Sequence, residues 1–325
     1  MKTRVAVIFG GRTGEHEISI RSAKSIMAGL DAARYDILEY FIDKSGKWSP
    51  RPILPEPGAH PEIDVVFPVL HGTFGEDGTV QGLLELADLP YVGAAVLASA
   101  VSMDKVAMKR TCAERGLPVV EYVAFTRGEL KSGTPALRFD YPVFVKPANL
   151  GSSVGITKAH NRAEFELALR LAAEFDRKIL VERGIEGREF ECAVLGNEDP
   201  AASLPCEVLP SKEFYDYEDK YLLDRAQFRL PAELGEEQTS ELRRLAVECY
   251  RAVGCEGMAR VDFLLESASG KLYINEINTI PGFTSISMYP KMWEQSGLPF
   301  RALLDRLIQL ALERHEQKKA TRFTR

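Results

Sequence analysis

The sequence predicts a mixed fold, α/β in its first hundred residues and α+β beyond them. Residues 5–9 form a continuous apolar run, as expected for a parallel strand that is buried on both faces. Glycines and a helical stretch over 18–30 follow, and strand-like segments at 35–42 and 64–70 continue the alternation. This order predicts a doubly wound parallel sheet, whose functional loops lie at the carboxyl ends of its strands.

Changes of pattern divide the chain into four parts. An N-terminal α/β domain is predicted over 1–102, with a surface loop at the five-proline stretch 49–61. A small central lobe over 103–187 starts with a basic helix, and a C-terminal lobe over 188–316 carries two amphipathic helices. The basic segment 317–325 is expected to be a short, frayed tail.

Composition excludes several classes of protein. Of the 325 residues, 45% are hydrophobic and 27% charged, which argues against wholesale disorder, and a net charge of -6 argues against nucleic acid as the main partner. The five cysteines are odd in number and irregularly spaced, which is typical of buried thiols in a reducing cytoplasm. We expect neither a targeting segment nor a membrane span, because every apolar run is too short for one.

Two acidic strands near the C-terminus carry the clearest chemical signal. They present, between apolar residues, the polar side chains Arg260, Asp262, Glu276 and Asn278. A hairpin folded about Ser269 places Asp262 opposite Glu276. It also places Arg260 opposite Asn278, with all four side chains on one face. Hard oxygen ligands of this kind suit Mg²⁺ with bound phosphates, and an adjacent arginine can stabilise charge on a reacting oxygen. The alternative is a solvated ion pair without a metal.

A phosphate-binding site is predicted in the central lobe. Lys146 ends an apolar strand and is followed by a glycine-flanked loop that contains Ser152 and Ser153. Backbone N–H groups and hydroxyls of such a loop can cradle an anion, and Lys105 and Lys109 on the preceding helix can add charge. No Gly-Lys pair is followed by Ser or Thr, so the loop is not a Walker A motif. Taken alone, a Gly/Ser loop is more often a simple turn.

Two N-terminal residues lie where strands of the predicted sheet end. Glu15 opens the first helix, where it can hold an amine or merely favour the helix dipole. His71 begins a glycine-rich loop after the strand at 64–70, where it can face a ligand or serve as a hydrogen-bonded structural residue.

In order and spacing, these motifs resemble the D-alanine–D-alanine ligases of the ATP-grasp superfamily along nearly the whole chain. The resemblance implies a pre-ATP-grasp N-terminal domain followed by a two-lobed ATP-grasp module. It further implies that ATP and two Mg²⁺ ions, which Mn²⁺ can replace, activate one D-alanine as an acyl phosphate for attack by a second. The dipeptide then supplies peptidoglycan synthesis for the cell wall, and the enzyme is a homodimer. The matching stretches are 7–11, 15–19, 71–78, 81–82, 103–105, 145–155, 214–221, 257–262, 275–282 and 287–290.

The resemblance also assigns roles to single residues. The metal ligands are Asp262, Glu276 and Asn278. ATP is bound by Lys105, Lys146, Ser153, Glu182, Ile185, Glu189 and Lys220. The D-alanines and the reacting oxygens are held by Glu15, His71, Ser152, Tyr221, Arg260, Gly282, Ser287 and Met288. The residue types fit phosphoryl transfer, which needs positioning and charge neutralisation more than a protein nucleophile.

Two other functions remain open on the sequence. A related ligase could use D-serine or D-lactate as its second substrate, although Tyr221 favours the dipeptide by resemblance. A non-catalytic nucleotide-binding subunit would lack the metal acids or Arg260, and all of these are present. The chain departs from the family pattern at Leu150 and Arg183 and in its short proline-rich loop.

Overall fold

The structure, a computed structural model, describes residues 2–152, 154–209 and 227–322. Within these ranges the strands form three separate sheets. All five cysteines are free and buried, which confirms the prediction of buried thiols. No helix in the described ranges has the length and apolar character needed to cross a membrane.

The first sheet is parallel except at one edge. Its strand order is β3-β2-β1-β4, with β2 and β4 parallel to β1 and the short β3 antiparallel to β2. The first helix begins two residues earlier than predicted, directly after Glu15, and the proline-rich loop connects β3 to β4. The elements are β1 (Thr3–Gly10), α1 (His16–Gly29), β2 (Tyr35–Ile42), β3 (Trp48–Ser49), β4 (Val65–Pro68), α2 (Thr79–Leu86) and α3 (Val96–Met103).

The second group of elements forms an antiparallel sheet of order β5-β8-β6-β7, with one helix packed on it. Asp104 caps the entering helix by accepting hydrogen bonds from the N–H groups of Val106 and Ala107, both at 3.1 Å, which starts the helix at Lys105. The elements are α4 (Lys105–Glu114), β5 (Tyr122–Thr126), β6 (Val143–Pro147), β7 (Thr157–Ala159), α5 (Arg162–Phe175) and β8 (Lys178–Arg183), with a 3₁₀ turn at Glu129–Ser132.

The third sheet is wholly antiparallel, in the order β12-β11-β9-β13-β14, with β10 paired to β9. The apolar face of α6, which includes Leu242, Leu245 and Cys249, packs in one core with residues of β9 and β13. The elements are β9 (Gly187–Leu195), β10 (Ala201–Ala202), β11 (Cys206–Leu209), β12 (Gln227–Arg229), α6 (Glu236–Ala252), β13 (Met258–Glu266), β14 (Leu272–Asn278), α7 (Met288–Gln295) and α8 (Phe300–Lys319).

The last helix of the chain closes the N-terminal sheet. Val7 of β1 lies in one core with Leu307 of α8, whereas Ile8 lies in a second core with Leu84 of α2. The sheet is therefore covered on both faces, as a doubly wound sheet must be. Because α8 continues through Lys319, it includes the first residues of the segment predicted to be a frayed tail.

Candidate active site

The acidic hairpin has the predicted register. Asp262 is paired with Glu276 and Arg260 with Asn278 across β13 and β14. The hairpin is not symmetrical along its whole length, however, because a β-bulge between Asp262 and Phe263 shifts the pairing by one residue on the side of the turn. Without that bulge, the register nearer the turn would bring Asp262 against a different residue of β14.

Cations already neutralise the opposed acids. The Arg260 guanidinium donates to both oxygens of Asp262, from Nε at 2.7 Å and from Nη2 at 2.6 Å, and its Nε lies 3.4 Å from Glu191. Lys105 Nζ lies 3.4 Å from Glu276. Burial alone would lower the pKa of Arg260, but the charges of Asp262 and Glu191 outweigh it and hold that pKa well above its usual value.

The metal prediction was tested against this geometry. Within the described residues, no group of three His, Cys, Asp or Glu side chains is arranged to hold a metal ion. The donor types nevertheless fit Mg²⁺, because Asp262, Glu276 and Asn278 supply carboxylate and amide oxygens from paired strands. The side-chain amide of Asn278 accepts a hydrogen bond from the Ile280 N–H at 3.0 Å. An ion that binds the lone pairs Arg260 now uses would compete with the guanidinium for Asp262.

A second cluster of charges lies on the central sheet. The carboxylate of Glu182 is fully buried between Lys109, whose Nζ is 2.5 Å away, and Lys146. Lys146 Nζ also donates to Asn275 Oδ1 at 3.3 Å, which links β6 to β14. Burial would raise the pKa of Glu182, yet the two lysines lower it to about 2. Nearby, Ile185 lies in the half-buried connection between β8 and β9.

Glu189, on β9, is also half-buried. It is paired with Leu264 of β13 and with Val208 of β11. Burial acts to lower the pKa of Lys146, but the charge and hydrogen bond of Glu182 and the charges of Glu276 and Glu189 raise it. Glu189 therefore lies on the side of the sheet that faces the lysine cluster.

Glu15 and Ser152 meet across the space between the N-terminal and central sheets. The Ser152 hydroxyl donates to Glu15 Oε1. Ser152 has a φ of 54°, an unusual conformation for a residue with a side chain, and it directs the hydroxyl at the carboxylate. Gly72 has a φ of 76°, and an added Cβ there would lie 2.6 Å from Glu15 Oε2, so glycine is favoured at this position. At Gly151 an added Cβ would lie at an ordinary contact distance of 3.4 Å from the same oxygen.

His71 is buried and joins two distant parts of the chain. Its Nδ1 donates to the carbonyl of Ile280 at 2.9 Å, and its Nε2 lies 3.1 Å from the hydroxyl of Ser22. Glu76 Oε1 lies 3.5 Å from Nδ1. Burial acts to lower the pKa of His71, but the hydrogen bond and charge of Glu76, together with the charge of Glu15, raise it.

The opposite side of the site is a helix N-terminus. Ser287 precedes α7, and its Oγ accepts a hydrogen bond from the Thr284 N–H at 3.0 Å. A Cβ at Gly282 would come within 2.7 Å of that oxygen, so a larger residue there would displace the Ser287 hydroxyl. Met288 is buried as the first residue of the helix.

Ten of the predicted residues in the described ranges line one cleft between these elements: Glu15, His71, Lys105, Ser152, Arg260, Glu276, Asn278, Gly282, Ser287 and Met288. Asp262 does not line the cleft itself but accepts hydrogen bonds from Arg260, which does. Lys146, Glu182, Ile185 and Glu189 lie instead at the adjoining lysine cluster and the β8–β9 connection. Ser153, Lys220 and Tyr221 fall outside the described residues.

Sequence reasoning missed two acids of this cleft and one hydroxyl. Glu191 and Glu76 line it, and Ser22 positions His71. Glu191 occupies an alternating position on β9 and could have been found from the strand pattern alone. Glu76 and Ser22 carry no local signal, because their roles depend on contacts with His71.

The geometry can be compared with known proteins. The family models for the D-ala D-ala ligase C-terminus and N-terminus match residues 111–309 and residues 4–60 and 54–94, respectively. The D-alanine–D-alanine ligase of Solibacter usitatus is 73% identical over 325 residues, which cover 100% of both chains. The chain belongs to the D-alanine–D-alanine ligase family.

Solved structures of such ligases share the fold. The D-alanine–D-alanine ligase from Coxiella burnetii is 41% identical with a TM-score of 0.86, covering 98% of this chain and 96% of that one. The VanG D-Ala:D-Ser ligase from Enterococcus faecalis is 35% identical with a TM-score of 0.86, covering 96% of this chain and 100% of that one. These similarities confirm the predicted family and its ATP-grasp fold class. The two N-terminal matches overlap within the proline-rich loop.

Proposed function

We propose that this protein uses ATP to join two D-alanine molecules into D-alanyl-D-alanine through an acyl phosphate, for peptidoglycan precursor synthesis. The observation that carries the proposal is the cleft itself. The cleft brings together the carboxylate of Glu15, the loop residues Gly151 and Ser152, and the cations Lys105 and Arg260. Glu276 and Asn278 of the acidic hairpin line it as well, on the scaffold of the D-alanine–D-alanine ligase family.

The nucleotide would lie between the central and C-terminal sheets. Lys105 and Lys146 are proposed to hold its phosphates, and the contacts of both lysines with acidic or amide oxygens of β14 support this placement. The Lys105 ammonium also donates to the Leu150 carbonyl at 2.9 Å. That contact uses the backbone, so the unusual leucine at this position leaves it intact. Glu182, Ile185 and Glu189 are proposed to bind the adenosine, and Ser153 and Lys220 the phosphates.

Asp262, Glu276 and Asn278 are proposed to hold Mg²⁺, which Mn²⁺ can replace. When bound, the metal would neutralise phosphate charge. Arg260 is proposed to stabilise the tetrahedral oxyanion, aided by the backbone N–H of Gly282. The part-buried guanidinium supports this role, because its raised pKa keeps it charged when charge develops on the reacting oxygen.

The first D-alanine is proposed to present its ammonium to Glu15, which the Ser152 hydroxyl orients, with Tyr221 as a further partner. The carboxylate of the second is proposed to bind Ser287 and Met288 at the start of α7, where free N–H groups and the helix dipole favour an anion. His71, tied to Ile280 and Ser22, would shape the space between the two amino acids.

A direct assay tests the proposal. The purified chain, ATP, Mg²⁺ and D-alanine should yield ADP and dipeptide in equal amounts. ATP binding without D-alanine-dependent turnover would instead indicate a non-catalytic nucleotide-binding subunit. Replacing both Asp262→Asn and Glu276→Gln should abolish turnover, and near-normal activity of that variant would reject the metal assignment.

Acceptor choice needs a separate experiment. D-serine and D-lactate should be offered against D-alanine at several pH values, because the fold is shared with a D-Ala:D-Ser ligase. We expect the dipeptide of D-alanine to dominate. If a Tyr221→Phe variant kept the same selectivity at every pH, the proposed part of Tyr221 in acceptor choice would be wrong.

We further propose a cytoplasmic homodimer, built of the predicted N-terminal, central and C-terminal units. Two packed helices, α2 and α3, expose apolar side chains, with Leu86 and Leu97 having relative exposures of 64% and 69%. An apolar surface of this kind favours association. Light scattering should give twice the chain mass, and Leu97→Arg should halve it. The matched control is Leu167→Arg on α5, because Leu167 is also 64% exposed but lies away from α2 and α3; this variant should keep the dimer mass.

A further inference from the structure

Three acidic residues are paired side by side across neighbouring strands of the C-terminal sheet. Glu191 of β9 is paired with Asp262 of β13, which is paired in turn with Glu276 of β14. Side chains that are paired across strands point to the same face, so all three carboxylates lie on the face of the cleft. Glu191 is only 5% exposed, and a carboxylate so deeply buried requires a cationic partner.

Arg260 is shared between two of these acids. Its Nε donates to Asp262 Oδ1 at 2.7 Å and lies 3.4 Å from Glu191 Oε1. The strand neighbour of Arg260 on β9 is Ala193, two residues along the strand from Glu191, so the guanidinium and the Glu191 carboxylate lie on the same face of the sheet. A shift of about 0.5 Å would bring Nε to ordinary hydrogen-bond distance from Glu191.

The proposed metal chemistry conflicts with the observed pairing. Arg260 donates to both oxygens of Asp262, so a cation that approaches the same edge of the carboxylate competes with the guanidinium and displaces it. A displaced, part-buried guanidinium is stabilised by another anion close by, because separating the partners of an ion pair away from water is unfavourable. Glu191 already lies within reach and inside the same cleft.

We propose that Glu191 is a positioning residue, which receives Arg260 when a divalent metal binds Asp262 and holds the guanidinium beside the reacting oxygens. This inference rests on the proposed metal-dependent ligase function. Through this exchange, Glu191 favours metal binding without itself being a ligand, and it retains the oxyanion-stabilising charge in the cleft.

The experiment measures Mn²⁺ binding to the full chain loaded with ADP, by water-proton relaxation. Glu191→Gln should weaken Mn²⁺ binding by about 10- to 100-fold, as loss of an outer partner of a metal site does, and Glu191→Asp should recover part of it. In kinetics, Glu191→Gln should lower kcat and raise the Mg²⁺ concentration required, with little change in KM for D-alanine. The control is Glu207→Gln, a buried acid of the same sheet that binds Arg188, and it should leave Mn²⁺ affinity unchanged.

A double-mutant comparison isolates the role through Arg260. In an Arg260→Met background there is no guanidinium to receive, so adding Glu191→Gln should change Mn²⁺ binding far less than it does in the parent. Equal losses in both backgrounds would show that Glu191 acts on the ion directly and would overturn the inference. So would unchanged Mn²⁺ binding by Glu191→Gln while Asp262→Asn abolishes it. If Asp262→Asn also bound Mn²⁺ normally, the proposed metal site itself would fall.

Discussion

Removing the charge of Glu182 should destabilise the central sheet by leaving two lysines without their shared anion. In Glu182→Gln, the fully buried Lys109 loses a partner at 2.5 Å, and Lys146 loses one as well. The pKa of Glu182 is lowered from 4.5 to about 2 in the folded protein. At about 1.4 kcal/mol per pKa unit, that difference of about 2.5 corresponds to about 3–4 kcal/mol of stability at neutral pH. Breaking a buried pair costs about 3–5 kcal/mol, which agrees.

The deficit of Glu182→Gln should shrink as pH rises from 7 toward 10. Burial already lowers the pKa of Lys109, and loss of the Glu182 charge lowers it further. A lysine whose folded pKa lies below its unfolded value binds fewer protons when folded, so stability increases with pH in that window. In the parent, the contribution of Glu182 is complete above pH 4.5 and is lost as pH falls toward 2.

Hydrogen exchange of β6 and β8 amides is the appropriate assay, because three sheets need not unfold together. Without nucleotide, Glu182→Gln should exchange about 300-fold faster than the parent at the same neutral pH. Adding Lys109→Met removes the stranded charge and should restore much of the protection. Parent-like exchange in the single variant, or a deficit that is constant with pH, would refute the reasoning.

Two further predictions concern the N-terminal side of the cleft. Gly72 has a φ of 76°, and in Gly72→Ala the new Cβ would lie 2.6 Å from Glu15, so about 1–2 kcal/mol of strain should raise KM for D-alanine about tenfold. Gly14→Ala is the control, because a Cβ there meets nothing within 4 Å and KM should not change. Equal kinetics of the two variants would contradict this prediction. Glu76→Gln removes the acid that raises the pKa of His71, so the pKa of His71 should fall. NMR of labelled histidine measures this titration. An unchanged titration would show that Glu76 does not set the pKa of His71.

Much of the fold could be predicted because its signals are local. The strand at Tyr35–Ile42 was predicted with its observed bounds, and α2 and α6 follow their apolar periodicity. Boundaries were less certain where tertiary contacts decide them. For example, Val119 forms an isolated bridge to Ile274, whereas β5 begins only at Tyr122.

The pairing of Asp262 with Glu276 was predictable for a physical reason. Strand alternation and a turn are properties of neighbouring residues, so a single hairpin can be folded on paper. The bulge beside Asp262 was not predictable, because it depends on how β14 packs. It preserved the expected pairing by shifting only the residues nearer the turn.

By itself the sequence determined which chemistries the cleft can hold: hard oxygens on one hairpin, lysines at a strand end and a glycine-rich anion loop. Only the tertiary structure decided which charges meet. It places Glu182 between two lysines, lets Arg260 reach both Asp262 and Glu191, and joins His71 to Ile280 across 209 residues. Residue types and local patterns can be read directly from the sequence. The partner of a buried charge depends on which element packs against it, and this packing is defined only when the sheets assemble.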